Sequence, residues 1–431
     1  MKSPGLTNKS MRKVAIASFI GTTIEWYDFF IYGQMAGSDI FARLFFPKLQ
    51  PAPAMLAAFG TYAVGFAARP IGGAVCGHLG DRFGRKSTLV LTLLLVGIST
   101  VMIGFLPTYD SIGIWAPVLL ITLRLVQGFG VGGEWGGAVL LSVENAPSNR
   151  RGFYGSWPQV GVPAGLFLSS GVFWLITKLP ASALFSWGWR VGFLASAVLV
   201  VVGLYIRLSI DEPLEFSQIR ETRTESRRPI LDAVVQYPKN LMLATGAKLA
   251  ENAVFYLYTV FIITFATQRV AFSKSAVLAA ISLAAVVGLV TVPVCGFLSD
   301  VIGRKPIYLA GAIFSAVFAF PSFWLVETGR TGLMTLAIVL ALGLGWAAMY
   351  GPQAGFFSEL FGTRVRYSGA SLGYQLAAAI AGGLSLFLAA GVLFRTGKSW
   401  PIALFIVALA AVTILSVLYT AETAHKDISQ V

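Results

Sequence analysis

The sequence predicts an all-α polytopic membrane protein, with twelve transmembrane helices in two six-helix halves. Three observations carry this. Of 431 residues, 56% are hydrophobic and only 12% charged, with a mean hydropathy of +0.76; a soluble domain is about one-quarter charged. Apolar runs of membrane-crossing length, about 20 residues, recur along the whole chain. And the turn Cys76-Gly77-His78-Leu79-Gly80-Asp81-Arg82-Phe83-Gly84-Arg85-Lys86 returns 219 residues later as Cys295-Gly296-Phe297-Leu298-Ser299-Asp300-Val301-Ile302-Gly303-Arg304-Lys305, with seven of eleven positions identical.

A tail over 1–12 leads into the first half, 13–210, whose spans are expected near 13–38, 54–80, 88–107, 113–145, 153–178 and 188–210. The first run, from Val14, is long and carries acids, so it reads as a span and not as a cleavable signal peptide. Residues 211–238 are the one long polar stretch, with Arg220, Arg223, Arg227 and Arg228. They read as a cytoplasmic linker that faces anionic lipid, with room for a surface-lying amphipathic helix. The second half, 239–420, holds spans near 239–268, 274–299, 307–326, 332–359, 368–394 and 399–420, followed by a tail over 421–431.

Orientation follows from Lys and Arg. With the N-terminus inside, twenty of the 32 basic residues fall on the inner side, nine on the outer side and three within spans. The positive-inside rule then puts both termini in the cytoplasm. A net charge of +13 does not point to nucleic acid, because the charges sit in short gaps and form no basic face. Cys76 and Cys295 belong to different helices, so no structural disulfide is expected.

A second repeat supports duplication. Glu144-x-x-Pro147-x-x-x-Arg151 after the fourth span is echoed 215 residues on by Glu359-x-x-Gly362-x-x-x-Arg366. Parallel repeats of this kind characterise transporters whose substrate site lies between the halves near the midplane.

An ionisable residue inside a span costs at least about 2.5 kcal/mol on insertion scales, so each needs a reason. Glu25 and Asp28 in the first span are three apart, on one helical face with Tyr32. Glu25 lies roughly 18 Å from Lys13, about mid-bilayer. Two carboxylates this close disfavour joint ionisation, which suits a proton carrier; the alternative is a permanent pair with a nearby arginine. Arg124 and Gln127 share a face of the fourth span, and the guanidinium reads either as a clamp for a substrate carboxylate or as counter-ion to the acids of the first span. Lys248 and Glu251 in the seventh span read as an intrahelical pair or as a substrate and coupling site. Arg69 and Glu134 reach similar depths and read as a structural pair between the second and fourth spans, with Glu134 also a candidate proton carrier. Gln159, Tyr256 and Tyr374-Gln375 are further polar candidates for substrate contact, and Trp187 and Trp189 read as interfacial anchors. The small-residue spacing Gly65, Gly72, Gly73 and Gly128, Gly132, Gly136 implies close helix packing.

Together the duplicated Gly-x-Leu-x-Asp turn, the Glu…Arg pairs and the stretches Glu25–Phe29, Arg69–Gly73, Arg124-x-x-Gln127-Gly128, Gly132–Ala138 and Arg366–Ala370 resemble the major facilitator superfamily. Within it they are similar to the metabolite:proton symporters, which include permeases for shikimate, 2-oxoglutarate, citrate and proline/glycine betaine. The resemblance covers nearly the whole chain. It implies the major facilitator fold in a bacterial inner membrane and proton-coupled import of a small organic acid, nearest in pattern to shikimate permeases. The alternative is a proline/betaine osmolyte symporter; a non-transporting nutrient sensor is more distant. It also implies a cytoplasmic latch formed by Gly77, Asp81, Arg82, Gly84, Arg85, Lys86, Glu144 and Arg151, mirrored by Asp300, Gly303, Arg304, Glu359 and Arg366. No cofactor or metal is expected, the proton being the coupling ion, and the chain is expected to work as a monomer. A primary pump would need a Gly-x-x-x-x-Gly-Lys-[Ser/Thr] loop, which does not occur. The two histidines, His78 and His425, suggest no enzyme site.

Overall fold

The computed structural model describes residues 8–83, 85–144, 146–208, 234–362 and 365–424; within these, the side chains of 8–15, 17, 77, 78, 80–83, 85, 86, 141, 206 and 207 are not described. Every regular element among the described residues is helical. The long helices, in order, are α1 (Asn8–Gly37), α2 (Pro51–Phe83), α3 (Arg85–Phe105), α4 (Trp115–Glu144), α5 (Ser148–Ile176), α6 (Ala181–Tyr205), α7 (Pro238–Arg269), α8 (Lys274–Ile302), α9 (Arg304–Glu327), α10 (Thr331–Ser358), α11 (Arg366–Thr396) and α12 (Trp400–Tyr419). Eleven of them, α2–α12, have described stretches long and apolar enough to cross a membrane. The 30 residues of α1 also have the length. These are the twelve expected helices. The predicted sixth span began at 188, whereas α6 starts at Ala181: the uncharged run 181–188 continues the helix through a wider turn at Leu184–Gly188.

Local chemistry sets several ends. Pro238 opens α7 and Pro401 lies in the first turn of α12, where a missing N–H costs no helical bond. Ser273 caps α8 by accepting from the Ala276 N–H at 3.2 Å. Between α8 and α9 the chain reverses at Gly303, whose φ of +118° is open only to glycine. Its first-half counterpart, Gly84, lies outside the described residues, as do the side chains of Gly77, Asp81, Arg82, Arg85 and Lys86 and most of the predicted linker, 209–233.

Position in the bundle follows burial. In α7, 94% of the most apolar stretch is buried, against 39% in α6, α9 and α12. Exposed Ile98, Val198, Val201, Val317 and Leu415 make the outer surface apolar, which lipid tolerates and water would not. Trp189 corrects the sequence reading: it is fully buried against Phe41, Phe45 and Phe193, while only Trp187 is exposed. Two apolar clusters join the halves; in the larger, Phe30 packs on Phe255 at 5.4 Å and Phe66 on Tyr256 at 4.9 Å.

The halves meet most closely where glycine removes side chains. Between α5 and α8, a Cβ on Gly152 would lie 2.4 Å from the Gly296 carbonyl. Within the first half, a Cβ on Gly128 would lie 1.9 Å from the Gly65 carbonyl and one on Gly72 1.9 Å from that of Phe129. This is the α2–α4 backbone contact implied by the small-residue spacing.

Candidate functional site

Helix α4 is interrupted where its glycine run meets Glu134. The first segment ends at Gly132, Gly133 folds its N–H back to the Gly130 and Val131 carbonyls, and the helix resumes at Trp135. Adjacent glycines weaken a helix, and carbonyls released at membrane depth must find donors within the protein. They find them in α11 of the other half. Gln375 Nε2 donates to the Gly132 carbonyl at 3.0 Å, and the Tyr367 hydroxyl to that of Gly133 at 3.1 Å.

The break opens on a cavity between the halves. Its walls are Thr22, Glu25 and Trp26 of α1, Arg69 of α2, Val131, Glu134, Trp135, Ala138 and Val139 of α4, Pro158 of α5, Tyr350 of α10, and Tyr374 and Gln375 of α11. The space open to the centre of a water molecule is about 20 Å3, room for roughly one water. Trp135 stacks on Tyr374 with ring centroids 3.9 Å apart. Its indole N–H donates to Gln159 Oε1 at 3.1 Å, while Gln159 Nε2 donates to the Tyr350 carbonyl at 2.6 Å. Gln159 therefore ties α4 of its own half, through its oxygen, to α10 of the other half, through its nitrogen.

Glu25 and Glu134, predicted from separate helices, thus share one cavity with Arg69. Asp28 does not join them, contrary to the single face read from the spacing. Its Oδ1 accepts from the Ser196 hydroxyl of α6, and its Oδ2 has no hydrogen-bond partner. The 60° between positions i and i+3 is enough to turn Glu25 toward the other half and Asp28 into its own.

Arg124 is fully buried and donates from Nη1 to Gln127, whose own amide N–H reaches Thr100 at 2.7 Å. Its guanidinium lies 3.9 Å from the Tyr32 ring, 4.8 Å from Phe29 and 4.9 Å from Tyr62. Among the described residues no carboxylate pairs with it, so the reading as counter-ion to the acids of α1 is corrected: Asp28 accepts from Ser196, and Glu25 lies on the wall of the cavity, of which Arg124 is no part. Tyr32, proposed for substrate contact, donates its hydroxyl to Thr61 at 2.6 Å. Tyr256 packs its ring on Phe66 and places its hydroxyl beside the Arg69 guanidinium.

In α7, Lys248 Nζ donates to Glu251 at 2.6 Å and to Gln353 Oε1 at 3.0 Å, and sits 3.5 Å from the centre of the Tyr374 ring. The other Glu251 oxygen accepts from the Trp346 indole at 2.6 Å. Trp346 ends a wider turn in α10, Ala341–Trp346, of the kind found at functional sites. Trp135, Trp346, Tyr350 and Gln353 were absent from the sequence candidates. The available signals were the stretch Gly132–Ala138, which contains Trp135, and for the other three their place on α10, the helix that leads into the second Glu…Arg motif.

At the face where α12 ends, Asp300 crosses between halves. Its carboxylate accepts the backbone N–H groups of Gly152 at 2.7 Å and Phe153 at 2.8 Å, at the start of α5, where an anion is favoured. Buried Arg304 then joins Asp300 at 2.7 Å to Glu359 at 3.1 Å. The mirrored set therefore uses Arg304 as its bridge. Arg366 instead donates to the Phe361 carbonyl, and its guanidinium comes 3.8 Å from Glu144 of the first half. Arg151 is buried beside this group. After α12, Thr423 donates to Glu359 at 2.6 Å, and Glu422 accepts the N–H groups of Arg304 and Lys305. Burial raises the Glu422 carboxyl, but the N–H groups of Ala424, Arg304, Lys305 and Thr423 outweigh it and hold it below its ordinary value.

The opposite face is closed as well. Thr264 of α7 donates to the Gly37 carbonyl at 2.6 Å, and Lys274 pairs with Asp39. Asp39 is also 2.6 Å from Arg43. Burial raises this carboxyl, and the hydrogen bond and charge of Lys274 with the charge of Arg43 outweigh it, leaving it lowered.

Known proteins resemble the chain at full length. It is 38% identical over 411 residues to the shikimate transporter of Escherichia coli (strain K12), covering 94% of each chain. It is 41% identical over 427 residues to the inner membrane metabolite transport protein YhjE of the same organism, covering 97% of this chain and 96% of that one. To the proline/betaine transporter of Escherichia coli (strain K12) it is 34% identical, over 97% of this chain and 85% of the relative. The solved structure of the proton:xylose symporter XylE superposes with a TM-score of 0.80 over 98% of both chains, at 18% identity, a likeness of fold alone. The protein is a membrane transporter of small molecules and not an enzyme, and by the match of its residues 18–381 it belongs to the Major Facilitator Superfamily.

Proposed function

We propose that the protein is a proton-coupled symporter that imports a small organic acid by alternating access, with residues 13–210 and 239–420 rocking about the cavity and joined by the linker 211–238. The observation that carries this reading is the enclosure of Glu25, Arg69 and Glu134 in one cavity at the break of α4, closed off toward both faces. An acid in such a place has reason to exchange a proton, and an arginine has reason to meet an anion. Asp28, buried beside hydroxyl groups and paired with no cation among the described residues, is a second place for the proton. The similarity to the shikimate transporter supports an organic acid. The chain works as a monomer in the bacterial inner membrane, with both termini in the cytoplasm and no cofactor besides the coupling proton.

A second reading, a proline/betaine-type symporter, is favoured by one feature. Trp26, Trp135 and Tyr374 line the cavity beside Glu25 and Glu134, a surrounding that also suits a quaternary ammonium.

Uptake into proteoliposomes decides between them. Shikimate, 2-oxoglutarate, citrate, proline and betaine are offered with and without an inward proton gradient. Gradient-driven accumulation of an organic acid is expected, reduced at least about tenfold in Glu25→Gln/Asp28→Asn. Uptake indifferent to the gradient and intact in that variant would sink the symport mechanism. No uptake of any solute would favour the non-transporting sensor.

A further inference from the structure

Of the buried cations among the described residues, Lys248, Arg124 and Arg69 fall within the predicted spans, and their surroundings differ. Lys248 is neutralised by Glu251 and satisfied by Gln353. Arg124 has two nitrogens without acceptors, but it stands behind Phe29, Tyr32 and Tyr62 and is no part of the cavity wall. Arg69 alone is both on the wall and incompletely bonded. It is 1% exposed, the Tyr256 hydroxyl lies beside its guanidinium, and its Nε and Nη2 have no hydrogen-bond acceptor in ordinary geometry.

The rings around Arg69 define how it can be approached. Its guanidinium carbon lies 4.2 Å from the centre of Phe29 and 4.3 Å from that of Phe66. Ring contacts satisfy the π-face of a guanidinium but leave its N–H donors, which point along the plane, unanswered. Nε and Nη2 are adjacent on one edge of the group, the geometry that receives a carboxylate through two parallel hydrogen bonds.

A second wall residue supplies the complementary character. Gln375 is 1% exposed, and its amide nitrogen is fixed as the donor to the Gly132 carbonyl. Its Oε1 therefore faces away as an acceptor, and it has no donor. The Trp135–Tyr374 stack adds an apolar face to the same cavity.

We infer that, once the halves part and the one-water cavity widens, Arg69 binds the carboxylate of the transported solute through its Nε–Nη2 edge while Gln375 Oε1 accepts from a hydroxyl or ammonium group of that solute. The ligand class is a hydroxy- or amino-carboxylate with a carbon skeleton that lies on Trp135. This rests on the transport reading and narrows it. Betaine, which has a carboxylate but no N–H or O–H donor, fits it less well, and a neutral sugar does not fit.

The test uses the whole purified chain in detergent, with tryptophan fluorescence and the thermal midpoint as readouts of binding. The probes are shikimate, L-proline, betaine, xylose and the methyl esters of the first two. Shikimate or L-proline is expected to bind, its ester to bind at least about thirtyfold more weakly, and betaine to bind more weakly than the better of the two acids. Arg69→Gln is expected to lose that binding and Arg69→Lys to retain part of it. The inference is overturned if an ester binds as tightly as its acid, if neither acid binds, or if a folded Arg69→Gln protein binds as the unaltered protein does. The ester comparison needs no variant, so a misfolded Arg69→Gln does not leave the question open. Gradient-driven uptake of shikimate that persists unchanged in a folded Arg69→Gln protein would sink this inference and leave the transport reading standing. Absence of uptake for every solute, with shikimate or proline still bound through Arg69, would do the reverse.

Discussion

At the scale of the residue, the buried charges of α7 behave as one unit. Lys248 and Glu251 are 0% and 2% exposed, 2.6 Å apart, with Gln353 and Trp346 completing their hydrogen bonds. Removing one member of a buried pair leaves an uncompensated charge and typically costs about 3–5 kcal/mol, while replacing both is far milder. Lys248→Met should therefore lower the thermal midpoint strongly. Adding Glu251→Gln should recover most of the loss, since glutamine keeps an acceptor for the Trp346 indole. A double variant no more stable than the single would contradict this account. The pair was legible in the sequence because charges inside apolar runs are rare. Its partners were not: Trp346, Tyr350 and Gln353 look like any other aromatic or polar residue in a helix until the helices cross. The parting of Glu25 from Asp28 was equally hidden, since spacing gives a helical face only to within about a quarter-turn.

At the scale of the element, the glycines of α2 and α4 separate packing from propensity. A methyl group on Gly128 would stand 1.9 Å from the Gly65 carbonyl, whereas one on Gly171 of α5 meets nothing within 4 Å. Alanine is favoured over glycine inside a helix by about 1 kcal/mol. Gly171→Ala should thus leave stability unchanged or slightly raised, and Gly128→Ala should lower it and disturb α2–α4 packing. Thermal unfolding of the two variants side by side checks the contrast, and equal effects would refute the backbone contact. Glycine spacing made this crossing legible from the sequence. The break at Gly133 was not, because the apolar run continues through it and the donors that stabilise it, Tyr367 and Gln375, lie more than 230 residues away. The twelve spans and the two halves were readable because length, hydropathy and repetition suffice for them; the closure between halves depends on contacts that periodicity does not encode.

At the scale of the whole molecule, contacts between the halves close the cavity at both faces, and alternating access requires each set to be breakable. The Asp39–Lys274 pair is the more exposed of the two. Its carboxyl is lowered below the ordinary 3.8, so its contribution is fully present above that value and is lost as pH falls through the lowered one; at neutral pH it is constant. Within the range where the protein stays folded, the distance between labels on the two halves at this face should therefore be insensitive to pH from 5 to 8 and should widen in Lys274→Ala. The face where α12 ends is held through Asp300. Asp300→Asn retains one acceptor oxygen for two backbone N–H groups and Arg304, and turns an amide donor toward the others. Losing charge-assisted hydrogen bonds of this kind costs about 1.5–3 kcal/mol, which shifts a two-state equilibrium roughly ten- to hundredfold. Spin labels at Asn149 and Ile302, both exposed on this side of opposite halves, with Cys76 and Cys295 replaced by serine, should give a single short distance in the unaltered latch and a second, longer one in Asp300→Asn. An unchanged distance distribution in the variant would mean that the glycine contact of α5 with α8, and not the carboxylate, holds this face shut.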